Sequence, residues 1–209
     1  MEAKDILAKV DHTLLKQTST WAQIQRICEE AKTYHTATVM VPSCFIARIK
    51  ETYGEAVKAA TVVGFPNGNC STAAKVAETA QALADGAEEI DMVINVGALK
   101  DGDTKYVTEE IKALKKLCGE RVLKVIVETC FLTEEEKIAA CKCVTEGGAD
   151  FIKTSTGFGT AGATLEDIKL FKDHIGPQVQ MKAAGGIHTR EEMEAFIEAG
   201  CTRLGASAA

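Results

Sequence analysis

Short apolar runs alternate with amphipathic stretches along the whole chain, and this alternation constrains the fold more than any other feature. Eight runs span 10–15, 37–41, 58–65, 88–95, 121–129, 149–153, 179–184 and 202–205, and most are rich in Val, Ile and Ala. Runs of this kind bounded by turn residues read as buried strands. Between them the spacing predicts helices over 20–34, 43–52, 71–85, 104–118, 133–146, 164–174 and 189–199, with a short leading helix over 4–9. Ile24, Ile27, Cys28 and Ala31 show the i, i+3, i+4, i+7 pattern of one buried helix face. Thr133 and Glu136 have the spacing of a capping box, and Gly86, Gly119, Gly147 and Gly200 follow predicted helices. Strict strand–helix alternation calls for a parallel sheet. Eight repeats without a break in composition predict an α/β fold, a closed (β/α)8 TIM barrel with a short N-terminal helix, rather than an open doubly wound sheet. No linker is visible, so 1–209 reads as a single barrel domain, near the short end for this fold. The sequence stops just after the eighth strand, and the expectation is a barrel truncated before its closing helix.

Composition narrows the function classes. The net charge is −6 with acids and bases interspersed, and no basic block or basic–aromatic patch appears, which argues against a nucleic-acid partner. No apolar run reaches about 18 residues, so no membrane span is expected. The charged, amphipathic start MEAKDILAKV does not resemble a signal peptide. Eight cysteines lie scattered in apolar segments without a CxxC pair. Cys141 and Cys143 stand two apart in a predicted helix, where side chains do not face each other. The cysteines read as reduced, mostly buried thiols of a cytoplasmic protein without a metal site.

Charged residues inside the predicted strands carry the chemistry. Active sites of such barrels lie at the C-terminal ends of the strands. Polar residues collected there are Asp11 and Thr13, Asn67, Asp91 and Asn95, Lys124 and Glu128, Lys153 and Ser155, and Lys182. Side chains alternate along a strand, so Asp91 shares a face with Asn95, Lys124 with Glu128, and Lys153 with Phe151 and Ser155. If these faces point inward, three lysines and two or three carboxylates meet in one interior. Desolvation lowers the pKa of a buried lysine, and a neutral amine attacks carbonyls. Lys153, in ADFIKTSTG, is the candidate nucleophile, with Lys182 on the neighbouring strand depressing its pKa. The competing reading is a set of salt bridges across the barrel, but the lysines match or outnumber the acids and do not neutralise neatly.

Glycines form a second constellation. Gly157 and Gly159 follow strand six, Gly185 and Gly186 follow strand seven, and Gly205, Ala206 and Ser207 belong to strand eight and its end. Glycine lets backbone N–H groups approach an anion, and barrel phosphates commonly sit beyond strands seven and eight. Any one of these glycines is equally a turn residue, while three stretches on adjacent strands point to a phosphate cradle.

The segments EEIDMVINVGALKDGD, LKVIVETCFLTEEEK, GADFIKTSTGFGTAGAT and MKAAGGIHTREEMEAFIEAG, with VDHTLLK and TVVGFPNGN, resemble the deoxyribose-phosphate aldolase family over nearly the whole chain. The resemblance implies a class I aldolase that reversibly cleaves 2-deoxy-D-ribose 5-phosphate to acetaldehyde and D-glyceraldehyde 3-phosphate. It places the Schiff-base lysine on Lys153, the pKa-tuning lysine on Lys182, the proton-relay aspartate on Asp91 and the lysine that positions it on Lys124. Asp11, Thr13 and Thr156 fall at sugar-contacting positions, and Gly157, Gly185, Gly186, Gly205 and Ser207 at the phosphate loops. No cofactor or metal is implied, because the iminium is itself the electron sink. The partners implied are small aldehydes and sugar phosphates, and the assembly a homodimer.

Three positions depart from the family pattern. Met40 stands where cysteine is common, His188 where arginine is common, and Ala208 where a second serine often stands. The first predicts tolerance of unsaturated aldehydes, and the other two a weaker anion site. These departures support an alternative reading, an engineered aldolase that forms carbon–carbon bonds between unphosphorylated aldehydes. A barrel that binds sugar phosphates without turnover is the non-enzymatic alternative, against which intact Lys153, Lys182 and Asp91 speak.

Overall fold

The computed structural model describes residues 1–207. Eight strands pair side by side in sequence order and all parallel: β1 (Val10–Thr13), β2 (Thr38–Val41), β3 (Ala59–Val63), β4 (Glu89–Val93), β5 (Val122–Ile126), β6 (Phe151–Lys153), β7 (Gln180–Ala184) and β8 (Arg203–Ser207). β8 closes on β1, with Asp11 opposite Gly205 and Thr13 opposite Ser207. The molecule is therefore the (β/α)8 TIM barrel that the alternation predicts. Around it lie α1 (Ala3–Leu7), α2 (Trp21–Tyr34), α3 (Ile46–Tyr53), α4 (Thr72–Ala84), α5 (Val96–Lys100), α6 (Thr104–Cys118), α7 (Glu134–Glu146), α8 (Leu165–His174) and α9 (Arg190–Ala199).

Strands covered on both faces must be apolar on the face that meets the helices. Val39, Val63, Ile90, Val125, Ile152 and Leu204 do this, packing with Ile27, Ile49, Ile111, Leu114, Ile168 and Phe171 of the helices in one continuous core. Each such side chain withdrawn from water contributes about 1.5–3 kcal/mol. Inside the barrel, Met40, Ala60 and Val62 form a small separate cluster with Leu15 and Phe65 packed on it. Most of the predicted helices start near the expected residue, although α3 begins at Ile46 after a single 3-10 turn over Ser43–Phe45. Thr20 with Gln23, Thr133 with Glu136 and Thr189 with Glu192 form reciprocal capping boxes, and Ser71 caps α4.

Strand ends differ from expectation. The sequence predicts strands reaching residues 65, 95 and 129, but β3, β4 and β5 stop at Val63, Val93 and Ile126. Gly64 turns away with φ 64°, and its N–H is donated to Glu78 at 2.8 Å. Asn95 is a helix cap rather than a strand residue: its side chain accepts the Ala98 N–H at 3.1 Å and starts α5, which the sequence did not announce. Glu128 adopts a left-handed conformation, φ 55°, ahead of a single 3-10 turn over Thr129–Phe131. Ala208 lies outside the described residues.

Candidate active site

Strand register assembles the predicted residues. Lys153 on β6 stands opposite Lys182 on β7, and Asp91 on β4 opposite Lys124 on β5. The pleat turns these four and Asp11 inward, where all are buried. Asp91 is the hub. Its Oδ1 accepts from Lys124 Nζ at 2.8 Å, and its Oδ2 from Lys153 Nζ and Lys182 Nζ at 2.8 Å each. Asp11 Oδ2 makes a close contact with Lys182 Nζ. Its Oδ1 accepts from Arg203 Nη1 at 2.6 Å and from the Thr38 hydroxyl at 2.8 Å.

Glu89 and Arg203 complete this network, and sequence reasoning missed both. Glu89 lies 2.5 Å from Lys124 Nζ and takes Arg203 through two contacts of 2.8 and 3.2 Å. Arg203 also stacks over the Phe151 ring, 5.5 Å from its centroid. The signal was present. Glu89 stands two residues before Asp91, and Arg203 two before Gly205, so alternation alone turns them inward. They lie at the N-terminal ends of their strands, and a search confined to C-terminal ends passes over them.

The electrostatics follow from burial and company. Burial opposes ionisation of Asp91, but Lys124, Lys153 and Lys182 outweigh it and hold the carboxyl well below the usual carboxylate range. Asp11 behaves alike under Lys124, Lys182 and Arg203. Burial also disfavours charge on Lys124, yet Asp11, Asp91 and Glu89 push its pKa above the ordinary lysine value. Lys153 goes the other way. Burial is the largest cause, Lys182 and Lys124 add to it, and Asp91 opposes it, leaving its pKa lowered to about 8. At pH 7 the amine is neutral in roughly a tenth of molecules, against well under a thousandth for an ordinary lysine.

A cavity of about 480 Å³ opens over this cluster, and of the three barrel lysines only Lys153 lines it. Thr13, Thr156, Gly157, Gly185, Gly186 and Gly205 line it as the sequence predicts, as does His188, read as part of the anion site, together with Leu14, Leu15, Lys16 and Phe158, which the sequence did not assign to the cavity. Asp11 does not line it, because its two oxygens are taken up by Lys182, Arg203 and Thr38 beneath. β8 carries Ser207 at the register of Thr13. The glycines permit a close approach of loops. A Cβ on Gly162 would come 2.1 Å from the Gly185 carbonyl oxygen, which accepts the Ala163 N–H at 3.1 Å. Glu128 braces the other side, accepting the Thr156 N–H at 3.2 Å and the Thr156 hydroxyl in a close contact. Phe158 stands edge-on to Phe65, ring centroids 5.3 Å apart.

Among the described residues no group of three or more His, Cys, Asp or Glu side chains is arranged to hold a metal ion. No helix described is long and apolar enough to cross a membrane. All eight cysteines are free thiols, and five are buried.

A parallel barrel that holds a desolvated lysine beneath a glycine-lined cavity at the C-terminal ends of its strands has the makings of a carbonyl-handling enzyme. The chain belongs to the DeoC/LacD aldolase family, whose model matches residues 6–208. It is 62% identical over 209 residues to a deoxyribose-phosphate aldolase of Clostridium botulinum strain Alaska E43, covering 100% of this chain and 95% of the relative. Identity to the deoxyribose-phosphate aldolase of Clostridioides difficile strain 630 is 51%, over 98% of this chain and 93% of that one. Among solved structures, the tetrameric deoxyribose phosphate aldolase of Aeropyrum pernix superposes with a TM-score of 0.92 at 25% identity, covering 98% of this chain and 88% of that one.

Proposed function

We propose that this chain is a class I deoxyribose-phosphate aldolase, a lyase that reversibly cleaves 2-deoxy-D-ribose 5-phosphate to acetaldehyde and D-glyceraldehyde 3-phosphate. The observation that carries the reading is Lys153, buried, with its pKa drawn down to about 8, and exposed only toward the cavity. Neutral Lys153 attacks the substrate aldehyde carbon to give a carbinolamine, and loss of water gives an iminium. The iminium accepts the electron pair of the bond between C2 and C3 as it breaks. The C3 hydroxyl gives up its proton, glyceraldehyde 3-phosphate leaves, and an enamine remains on Lys153. Protonation of that enamine and hydrolysis release acetaldehyde and the amine. Asp91, held as a carboxylate by three lysines, serves as proton acceptor and relays through water. Lys182 donates to both Asp11 and Asp91 beside the nucleophile. Lys124 fixes the other Asp91 oxygen. Thr13 and Thr156 contact the sugar, and Asp11 acts on it from beneath through Lys182. Gly157, Gly185, Gly186, Gly205 and Ser207 cradle the phosphate.

The same reading takes 1–209 as one barrel domain that works in the cytoplasm as a homodimer on sugar phosphates and small aldehydes. Light scattering on the purified protein tests the assembly. The engineered alternative has no support, since a natural relative is 62% identical over the full chain. Incubation with acetaldehyde and borohydride tests the chemistry. A single ethyl adduct on Lys153 is expected, with trapping that rises as pH passes upward through about 8. Absence of the adduct in folded protein overturns the assignment of Lys153.

A further inference from the structure

Among the described residues, the ion-paired cluster inside the barrel holds one cation more than it holds anions. Asp11, Glu89 and Asp91 face Lys124, Lys153, Lys182 and Arg203. A buried charge without a partner is costly, and a titratable group sheds the charge instead. The interior is balanced when one of the four cations is neutral. Arg203 keeps its proton under all conditions of interest, so the choice falls among the lysines. Lys124 touches Glu89 at 2.5 Å and Asp91 at 2.8 Å, and Lys182 touches both Asp11 and Asp91. Lys153 has Asp91 alone, and shares it.

We propose that Glu89 and Arg203 are positioning residues that set this balance, Arg203 favouring the loss of the Lys153 proton and Glu89 restraining it. Neither lines the cavity, so neither meets substrate directly. Glu89 secures Lys124. Without its charge, Lys124 leans harder on Asp91, and Asp91 offers less to Lys153. Arg203 occupies one Asp11 oxygen. Without its charge, Asp11 is freer to neutralise Lys182, and Lys182 repels Lys153 less. Opposite charge changes at these two positions therefore act on Lys153 with opposite sign. The surroundings of Lys153 offer no competing explanation. β2 and β3 bring no charged side chain to the interior. Glu128, beyond β5, is engaged with Thr156, and Lys16 and His188 line the cavity above.

The inference rests on Lys153 being the Schiff-base lysine, and the test separates the two claims. The rate of trapping by acetaldehyde and cyanoborohydride, read as the mass of the Lys153 peptide, is followed against pH in the wild type, Glu89→Gln, Arg203→Met and the double variant. Glu89→Gln is expected to lower the midpoint and Arg203→Met to raise it. A displacement of one pH unit changes the neutral fraction about tenfold below the midpoint. The double variant should return close to the wild-type midpoint. Both single variants break the same ion pair, so a merely structural disturbance moves both midpoints the same way, and that result overturns the proposal, as do unmoved midpoints. Should Arg203→Met fail to fold, Glu89→Gln is set against Arg203→Lys, which keeps the charge and must leave the midpoint in place. A wild type without the Lys153 adduct overturns both claims, whereas an adduct with unmoved midpoints overturns this one alone.

Discussion

Lys75 and Lys153 are both withdrawn from solvent, one among the helices outside the barrel and one within it. Lys75, on α4, donates to Glu110 of α6 at 2.8 Å and to the Val93 carbonyl at 2.8 Å. The Thr72 hydroxyl serves the second Glu110 oxygen at 3.1 Å. One cation meets one anion, and the remaining contacts go to neutral groups. Its aliphatic stem runs past Gly64, where a Cβ would come 2.8 Å from Cε. Lys75 ties α4 and α6 to the end of β4, and it does not line the cavity above Lys153. Lys153 shares a single carboxylate with two other lysines and has a cavity above it. Depth of burial is nearly the same for both, and each meets a single carboxylate. What differs is that Glu110 serves Lys75 alone, whereas Asp91 is shared among three lysines.

Exchanging the two lysines for methionine breaks this comparison apart. Lys153→Met should abolish aldol cleavage, a loss on the order of 10⁴-fold or more, because no other group forms the iminium. Residual turnover above background in a coupled assay for glyceraldehyde 3-phosphate would refute the role. Lys75→Met leaves Glu110 buried without its cation, and unfolding in urea should show a loss of about 3–5 kcal/mol. Replacing both partners by apolar residues, Lys75→Met with Glu110→Leu, should recover most of that loss. If the double variant is no better than the single, the pair is not the isolated unit described here.

The stability of Lys153→Met sharpens the contrast, since it should rise while activity disappears. Lys153 has a folded pKa lowered from 10.5 to about 8. Below pH 8 the amine is protonated in both states, and the native state carries the cost of the buried charge. Between about pH 8 and 10.5 the unfolded chain holds a proton that the native state has lost, so wild-type stability climbs across that window. The methionine variant lacks the climb. Its advantage, of the order of 3 kcal/mol at pH 7, should shrink as pH approaches 10. An advantage independent of pH would mean that packing, not charge, is responsible.

The same physics decides what the sequence discloses. The barrel was legible because strand and helix periods are local properties repeated eight times. Asp91, Lys124, Lys153 and Lys182 were legible because a charged residue in a buried strand contradicts its surroundings. Asp11 was expected near the sugar but does not line the cavity, because Arg203 and Lys182, from the far end of the chain, take up its oxygens. Glu128 was placed on the inward face, but its left-handed backbone and its hold on Thr156 depend on a loop that only the fold brings alongside. Leu14, Leu15 and Phe158 reach the cavity for the same reason: loops, unlike strands, carry no period.

Met40 gives the smallest effect and the finest test of the idea. It is fully buried on Ala60 and Val62, one layer behind Leu15, which lines the cavity. Burial neutralises amines and thiols alike, but the neutral amine is the nucleophile and the neutral thiol is not. The protein's own buried thiols show this, for burial pushes Cys28, Cys141 and Cys201 up to about 12. A thiol in place of Met40 would sit among apolar neighbours with no cation beside it. Met40→Cys should therefore raise inactivation by crotonaldehyde only a few-fold, with the adduct mapped to residue 40 rather than to exposed Cys44 or Cys70. An unchanged rate would show that the cavity does not reach this layer. A rise of several orders of magnitude would mean that the positive charge of the barrel interior extends to β2, and the separation drawn here between the charged interior and its small apolar cluster would fail.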